Sequence, residues 1–471
     1  MGDWWKRSAC EQAEAIAARR VTSEEVVTDV VARIRARNGD INAITYDLGD
    51  DAIVAAREAD CAVAAGGPIG PLHGVPVTIK VNVDVAGQPS PNGIAVLAGV
   101  IAPDDAPITR NLRRAGAIVV GRTNAPEYSM RLTTWNPMHG RTVNPWHPDA
   151  SPGGSSGGAG AAAAAGFGAI HHGNDIAGSL RFPAFTCGVA TVKPTQGRMP
   201  AFNPSATVDR GLLSALMSTQ GTIAREVRDV RLGTRVMCEP DPRDPLHVPL
   251  PFDGARLPGP VRVAVTRNTH GFAAHPGVLA LIDRAATALS DAGYEVTEVE
   301  PPPIVDAARA WFRAGITDVK HQLGAAVERN GSDELRRIFA TYYEIGELLD
   351  LTGFQDALAQ RTGLIRRWTV FLDEHPLVLC PFLFRPTYPW DYDARGEAEV
   401  RELWEASIYS CGFNFLGLPT GLVPIDLVEG LPAGVQVVGR RFREDTICDA
   451  LETIESAAGV LTRRLWARDG D

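Results

Sequence analysis

The stretch that most constrains this chain runs from Ser151 to Phe185 and reads SPGGSSGGAGAAAAAGFGAIHHGNDIAGSLRFPAF. Two serine-bearing glycine turns enclose a segment of alanine and glycine. A flexible linker is polar throughout, whereas this stretch has an apolar, helix-like middle. Its small residues let backbone approach backbone. Its glycines let the chain adopt positive φ and aim successive amide N–H groups at a ligand. The pattern points to a catalytic centre of serines and backbone amides, for which the rest of the chain must supply a base.

The supply of bases is narrow. Of 46 basic residues, the lysines are Lys6, Lys80, Lys193 and Lys320, and the rest are arginine, which cannot give up its proton. Lys80 sits in the apolar, β-branched run Val75–Val85, which reads as a buried strand. There it is either snorkelling outward or buried and working. Lys193 lies in a second apolar run, VATVKPTQGR. His171 and His172 are adjacent, so a helix would not present both rings on one face. They are expected to be structural, and no metal site is expected. The cysteines are scattered without a CxxC pair and are expected to be reduced thiols.

A net charge of -10 argues against nucleic acid or an anionic membrane surface as partner. No run approaches the length of about eighteen apolar residues that a membrane span needs. The N-terminal MGDWWKRSACEQAEAIAARR has no apolar core of a signal peptide. A cytoplasmic protein is expected.

Hydrophobic periodicity predicts two amphipathic helices within 8–36 and a third over 51–65. Further helices are expected at 107–117, 227–237, 277–292 and 444–457. Strands are expected at 118–120, 261–265, 294–299 and 377–381. Residues 304–375 read as almost wholly helical. Phe413–Arg440 reads as two apolar strands joined by a hairpin. The β–α–β order implies a sheet covered by helices.

The glycine loop lacks the Gly-Lys-Ser/Thr ending of a phosphate loop. It matches G-x-S-x-G twice, with Ser155 or Ser156 central, but no strand leads into it as a nucleophile elbow requires. The second turn, Gly173–Ser179, offers a run of backbone N–H groups ending on a serine. An oxyanion hole needs such donors, here the amides of Ile176, Ala177, Gly178 and Ser179.

In combination and in order, GVPVTIK at 74–80, GRTNAPE at 121–127, TVNP at 142–145, SPGGSSGG at 151–158, GNDIAGSLRFPA at 173–184, VKPTQGR at 192–198, GTIAR at 221–225 and GLPAGVQVVG at 430–439 resemble the amidase signature family of serine hydrolases. The resemblance covers most of the chain. It implies a Ser–cis-Ser–Lys triad, with Ser179 as nucleophile, Ser155 as bridging serine and Lys80 as base. It implies supporting roles for Ser156, Asp175 and Arg181, and for Lys193 a structural one. Three positions depart from the family pattern: Val81 after the lysine, and Asn174 and Ala177 in the nucleophile turn.

The resemblance further implies a three-layer α/β/α fold with a large mixed central sheet. One domain is expected over 1–471, with a catalytic core over about 70–240 and 377–460 and a helical cap over about 304–375. The expected activity is hydrolysis of small, rather apolar amides or carbamates, as an amidase with arylamidase or urethanase activity. No cofactor is expected, and the chain would be a monomer or homodimer. Met130, Trp135, Phe182, Phe382, Phe384 and Tyr388 are candidate pocket walls. The rival readings are an amidotransferase of the A type, an esterase of the α/β-hydrolase kind using Ser156, and a non-catalytic binding protein. Amidotransferase relatives usually carry Gln at the position of Phe182.

Overall fold

The computed structural model describes residues 2–470. Its strands are β1 (Ile44–Asp47), β2 (Pro76–Lys80), β3 (Ile118–Thr123), β4 (Trp135–Asn136), β5 (Gly140–Arg141), β6 (Ile170–Asp175), β7 (Ala190–Lys193), β8 (Thr219–Ala224), β9 (Arg262–Val265), β10 (Glu295–Glu298), β11 (Leu377–Cys380), β12 (Thr420–Val428) and β13 (Leu431–Gly439). Eleven of them form one sheet in the order β1-β3-β2-β6-β8-β7-β12-β13-β11-β9-β10, and β4 pairs only with β5. The sheet is mixed. β3, β2 and β6 run parallel, as do β11, β9 and β10, and an antiparallel block from β6 to β13 joins them.

Helices cover both faces. A Cβ on Gly221 would meet Leu180, at the start of the helix Arg181–Cys187, at 2.4 Å. The neighbouring Thr222 points the other way, onto Gly233 of the helix Val227–Met237. That second layer includes Glu444–Ala458, whose Ile447 and Leu451 pack on Gly421 of β12. The first layer includes Gly157–Ala165, the alanine segment, every residue of which is buried.

The predicted helical stretch is realised as Val305–Ala310, a π-helical turn Trp311–Gly315, then Ile316–Asn330, Asp333–Ile345 and Leu351–Glu374. It is docked by polar contacts. Asp318 accepts from the Ser214 amide and hydroxyl, and Glu127 accepts from the amide and hydroxyl of Ser332, the N-cap of one of its helices. Arg131 bridges Glu334 of this layer and the buried Asp393. Among the described residues no helix is long and apolar enough to cross a membrane.

Two expectations need correction. The run Val75–Val85 is strand only to Lys80, after which the chain turns and the Val83 amide donates to the Lys80 carbonyl (3.0 Å). Val81, Val83 and Val85 are buried in a loop, so their apolar character reflects burial rather than strand. Phe413–Leu416 belongs to a helix, Ile408–Leu416, preceded by another at Glu397–Ala406. A short segment buried on all sides has no polar face, so periodicity cannot separate helix from strand there.

Candidate active site

Lys80 ends β2, the third strand from one edge of the sheet, and Asn174 lies near the end of neighbouring β6. The loop after Ser151 reaches both, with Ser155 bonded to Lys80 and Ser156 to the Asn174 backbone. Lys80 Nζ donates to Ser155 Oγ at 2.7 Å and to Asn174 Oδ1 at 2.8 Å. Lys80 is fully buried, and burial holds its ammonium well below the usual lysine range; the Asp175 charge opposes the shift without cancelling it. The reading of Lys80 as a snorkelling side chain is therefore wrong. The peptide between Gly154 and Ser155 is cis.

The two serine turns touch. A Cβ on Gly173 would lie 2.9 Å from Ser156 Oγ. That hydroxyl donates to the Asn174 carbonyl (3.3 Å) and accepts from the Asn174 amide (3.4 Å). Ser156 thus ties one turn to the other, and its hydroxyl faces backbone.

Asp175 organises the turn that carries Ser179. Its carboxylate accepts from the amides of Gly178 (2.7 Å) and Leu180 (3.1 Å), from the Arg181 guanidinium and from Asn414 Nδ2 (2.9 Å). Burial pushes this carboxyl up, but Arg181 and the donated hydrogen bonds outweigh it and hold it below its usual value. Arg181 also donates to Gln436 Oε1 (2.9 Å), Asn414 Oδ1 and the Ser410 carbonyl. The Gly178 amide is spent on Asp175, which removes it from the expected oxyanion donors. No protein acceptor is found for the amides of Ile176, Ala177 and Ser179 among the described residues. The left-handed position of the turn falls on Gly178 (φ 123°) and not on Ala177. Ala177 is therefore tolerated without strain. Ser179 is the most open member of the expected triad, 7% exposed against 0% for Lys80 and 1% for Ser155.

The aromatic residues expected to line a pocket divide in two. Phe182, Phe382, Phe384 and Tyr388 are fully buried. Phe182 stacks edge-on against Phe382 with ring centroids 5.0 Å apart, and Phe384 packs against Tyr409. These four are core, because a ring with no accessible surface meets no ligand. Met130 and Trp135 remain half-buried.

His171 and His172 are fully buried on β6, where burial drives both imidazoles down to about 3. His172 Nδ1 accepts from the Lys80 amide (3.4 Å) while its Nε2 bonds Gln220 (2.9 Å), so this neutral ring braces the backbone under the lysine. Lys193 is also buried and pushed down to about 7 by burial and by Arg181; its Nζ donates to the Pro194 carbonyl. No group of three or more metal-binding side chains occurs among the described residues.

Sequence reasoning missed Asn82, Gln220, Ser410, Asn414 and Gln436 as contributors. The last two stand as polar residues inside apolar runs, CGFNFLG and GVQVVG. The same signal singled out Lys80.

A family model described as Amidase matches residues 25–448. An indoleacetamide hydrolase from Bradyrhizobium diazoefficiens is 46% identical over 466 residues, covering 99% of this chain and 89% of the relative. The A-type component of the glutamyl-tRNA(Gln) amidotransferase from Salinispora arenicola is 31% identical over 98% of this chain and 99% of its own. Among solved structures, a bacterial aryl acylamidase of the amidase signature family superposes with a TM-score of 0.84 at 26% identity, covering 98% of each chain.

Proposed function

Because this chain belongs to the amidase family, we propose that it hydrolyses the carbon–nitrogen acyl bond of small primary amides with an aromatic acyl group. The likeness to an indoleacetamide hydrolase makes indole-3-acetamide the first substrate to test. The observation that carries the chemistry is the 2.7 Å hydrogen bond between Lys80 Nζ and Ser155 Oγ, both removed from water. A serine hydroxyl is a weak nucleophile until a neighbour takes its proton. A lysine can take it only when neutral, and burial favours that form.

In this reading Ser179 Oγ attacks the carbonyl carbon and passes its proton to Ser155, whose own proton moves to Lys80. The amides of Ile176, Ala177 and Ser179 receive the developing oxyanion. Collapse of the tetrahedral adduct expels ammonia, which takes the proton back through Ser155. Water then attacks the acyl-Ser179 ester by the same route. Asp175 and Arg181 hold the nucleophile turn and touch no substrate. Carbamates carry the same carbonyl, but the indoleacetamide hydrolase and the aryl acylamidase both point to amides, and the proposal is confined to them.

The test is ammonia release from indole-3-acetamide by the purified chain. Ser179→Ala and Lys80→Met are expected to abolish it, whereas Ser156→Ala retains measurable turnover. Loss on Ser156→Ala alone would favour the esterase arrangement, and turnover only with added partner proteins would favour the amidotransferase one. Wild-type rates in Lys80→Met would overturn the mechanism.

A further inference from the structure

Lys80 makes two side-chain hydrogen bonds, and only one belongs to the serine relay. The other leads outward through a directed chain. Asn174 accepts from Lys80 at Oδ1 and donates from Nδ2 to Asn82 Oδ1 (3.1 Å). Asn82 Nδ2 donates to Ser129 Oγ (3.0 Å), and the Ser129 hydroxyl donates to Asn92 Oδ1 (2.6 Å). Each link sets the next. Ser129 spends its proton on Asn92 and so accepts from Asn82. The Asn82 amide nitrogen is thereby committed outward, its carbonyl is left for Asn174, and the Asn174 carbonyl is turned toward Lys80. The outer end is anchored by backbone: the Tyr128 amide donates to the Asn92 carbonyl (3.0 Å) and Asn203 Nδ2 donates to the Asn82 carbonyl (2.9 Å).

We propose that Asn174 is a positioning residue for the proton transfer, held in register by Asn82, Ser129 and Asn92. The proposal rests on the reading of Lys80 as base and Ser179 as nucleophile. A neutral amine has two N–H bonds and one lone pair. With one N–H committed to the Asn174 carbonyl, rotation about the Cε–Nζ bond is restrained and the lone pair can face the Ser155 hydroxyl. The same carbonyl steadies the ammonium that forms, and being uncharged it does not trap the proton as a carboxylate would. The other titratable groups around Lys80 are Asp175 and His172 of β6, with Arg122 of β3 beside His172. The Asp175 charge is matched by Arg181, and His172 is neutral. Asn174 is thus the polar contact whose replacement changes Lys80 without unpairing a buried charge.

The test uses phenylmethylsulfonyl fluoride, with the adduct located on Ser179 by mass spectrometry and the inactivation rate followed against pH. In Asn174→Asp the new carboxylate stabilises the ammonium, so the midpoint of the rate rise moves up by about one pH unit or more and the rate below it falls about tenfold. In Asn174→Leu the ammonium loses an acceptor, so the midpoint moves down. The plateau also falls, by about tenfold or more, because the amine is no longer aimed. Asn82→Ala, at a half-buried outer position, moves both in the direction of the leucine variant by a smaller factor, and it keeps the proposal falsifiable if the Asn174 variants do not fold. Labelling of wild type that Lys80→Met does not slow would defeat the underlying reading. Lys80-dependent labelling whose midpoint is the same in all three asparagine variants would overturn the role of Asn174 alone.

Discussion

The two serine turns of this amidase stand against each other and are held by different physics. The loop carrying Ser155 is held by shape. A Cβ on Gly154 would lie 2.4 Å from the Arg131 carbonyl oxygen, so backbone runs against backbone there. Around Gly153 its hydrogen bonds join neutral groups: Thr134 Oγ1 donates to the Gly153 carbonyl (2.9 Å), and the Gly153 amide donates to Ser151 Oγ (3.0 Å). The turn carrying Ser179 is held by charge. Asp175 and Arg181 form a buried pair, and Arg181 reaches Ser410, Asn414 and Gln436, more than two hundred residues along the chain. The Ser155 loop is therefore held by close backbone packing of its glycines, and the Ser179 turn by a buried charge pair.

The sharpest way to break both halves at once is chemical. Ser179→Ala and Lys80→Met should each lower kcat/KM by about a thousandfold or more. Lys80→Met should keep or raise the Tm, because it removes a buried ionisable group. Between the turns, Asp175→Asn should be the more damaging to stability. It leaves the Arg181 charge buried without its partner, at about 3–5 kcal/mol, and denaturant unfolding would read the loss. Gly154→Ala should cost about 1–3 kcal/mol by overpacking and also lower the rate by displacing Ser155. An unchanged rate with lowered stability would show the relay loop to be scaffold only.

Acid weakens the fold both through Asp175 and through the buried histidines. Asp175 lies below its usual value in the folded state, so the stability it adds is present above pH 3.8 and is lost as the pH falls through its depressed value. His171 and His172 are held neutral to about 3 against 6.5 when free, so unfolding gains protons and stability falls over that whole interval. Acid titration followed by circular dichroism should show loss beginning at about 6, as the unfolded-state imidazoles start to take protons. On the proposed mechanism, with neutral Lys80 as the base, the rate should rise with pH through a midpoint below 10.5. The smallest effect is expected from Ala177→Gly. Ala177 needs no left-handed backbone, so stability should change by less than about 1 kcal/mol and the rate by a few fold.

Much of the candidate site was legible because its candidate residues are dense in sequence. Ser155, Ser156, Asp175, Ser179 and Arg181 lie within one stretch, and Lys80 stood out as a lysine in an apolar run of an arginine-rich chain. The aromatic pocket was not legible. Phe182, Phe382, Phe384 and Tyr388 have the composition of pocket walls and of core alike, and only their neighbours decide which. The helix Ile408–Leu416 was hidden for a related reason, being buried on every side.

By itself, the sequence determined which candidate groups are present, the order of the motifs and the small residues between the two serines. Those are properties of side-chain type and local backbone freedom. Tertiary structure alone decided which amides of the second turn stay free, because the Gly178 amide is taken by an Asp175 carboxylate that Arg181 and Asn414 hold in place. It also decided that Lys80 is buried beside Ser155 and Asn174. The hydrogen bond spanning 94 residues is closed by neighbouring strands β2 and β6, and the one spanning 75 by the loop before the helix Gly157–Ala165, neither by anything adjacent in the chain.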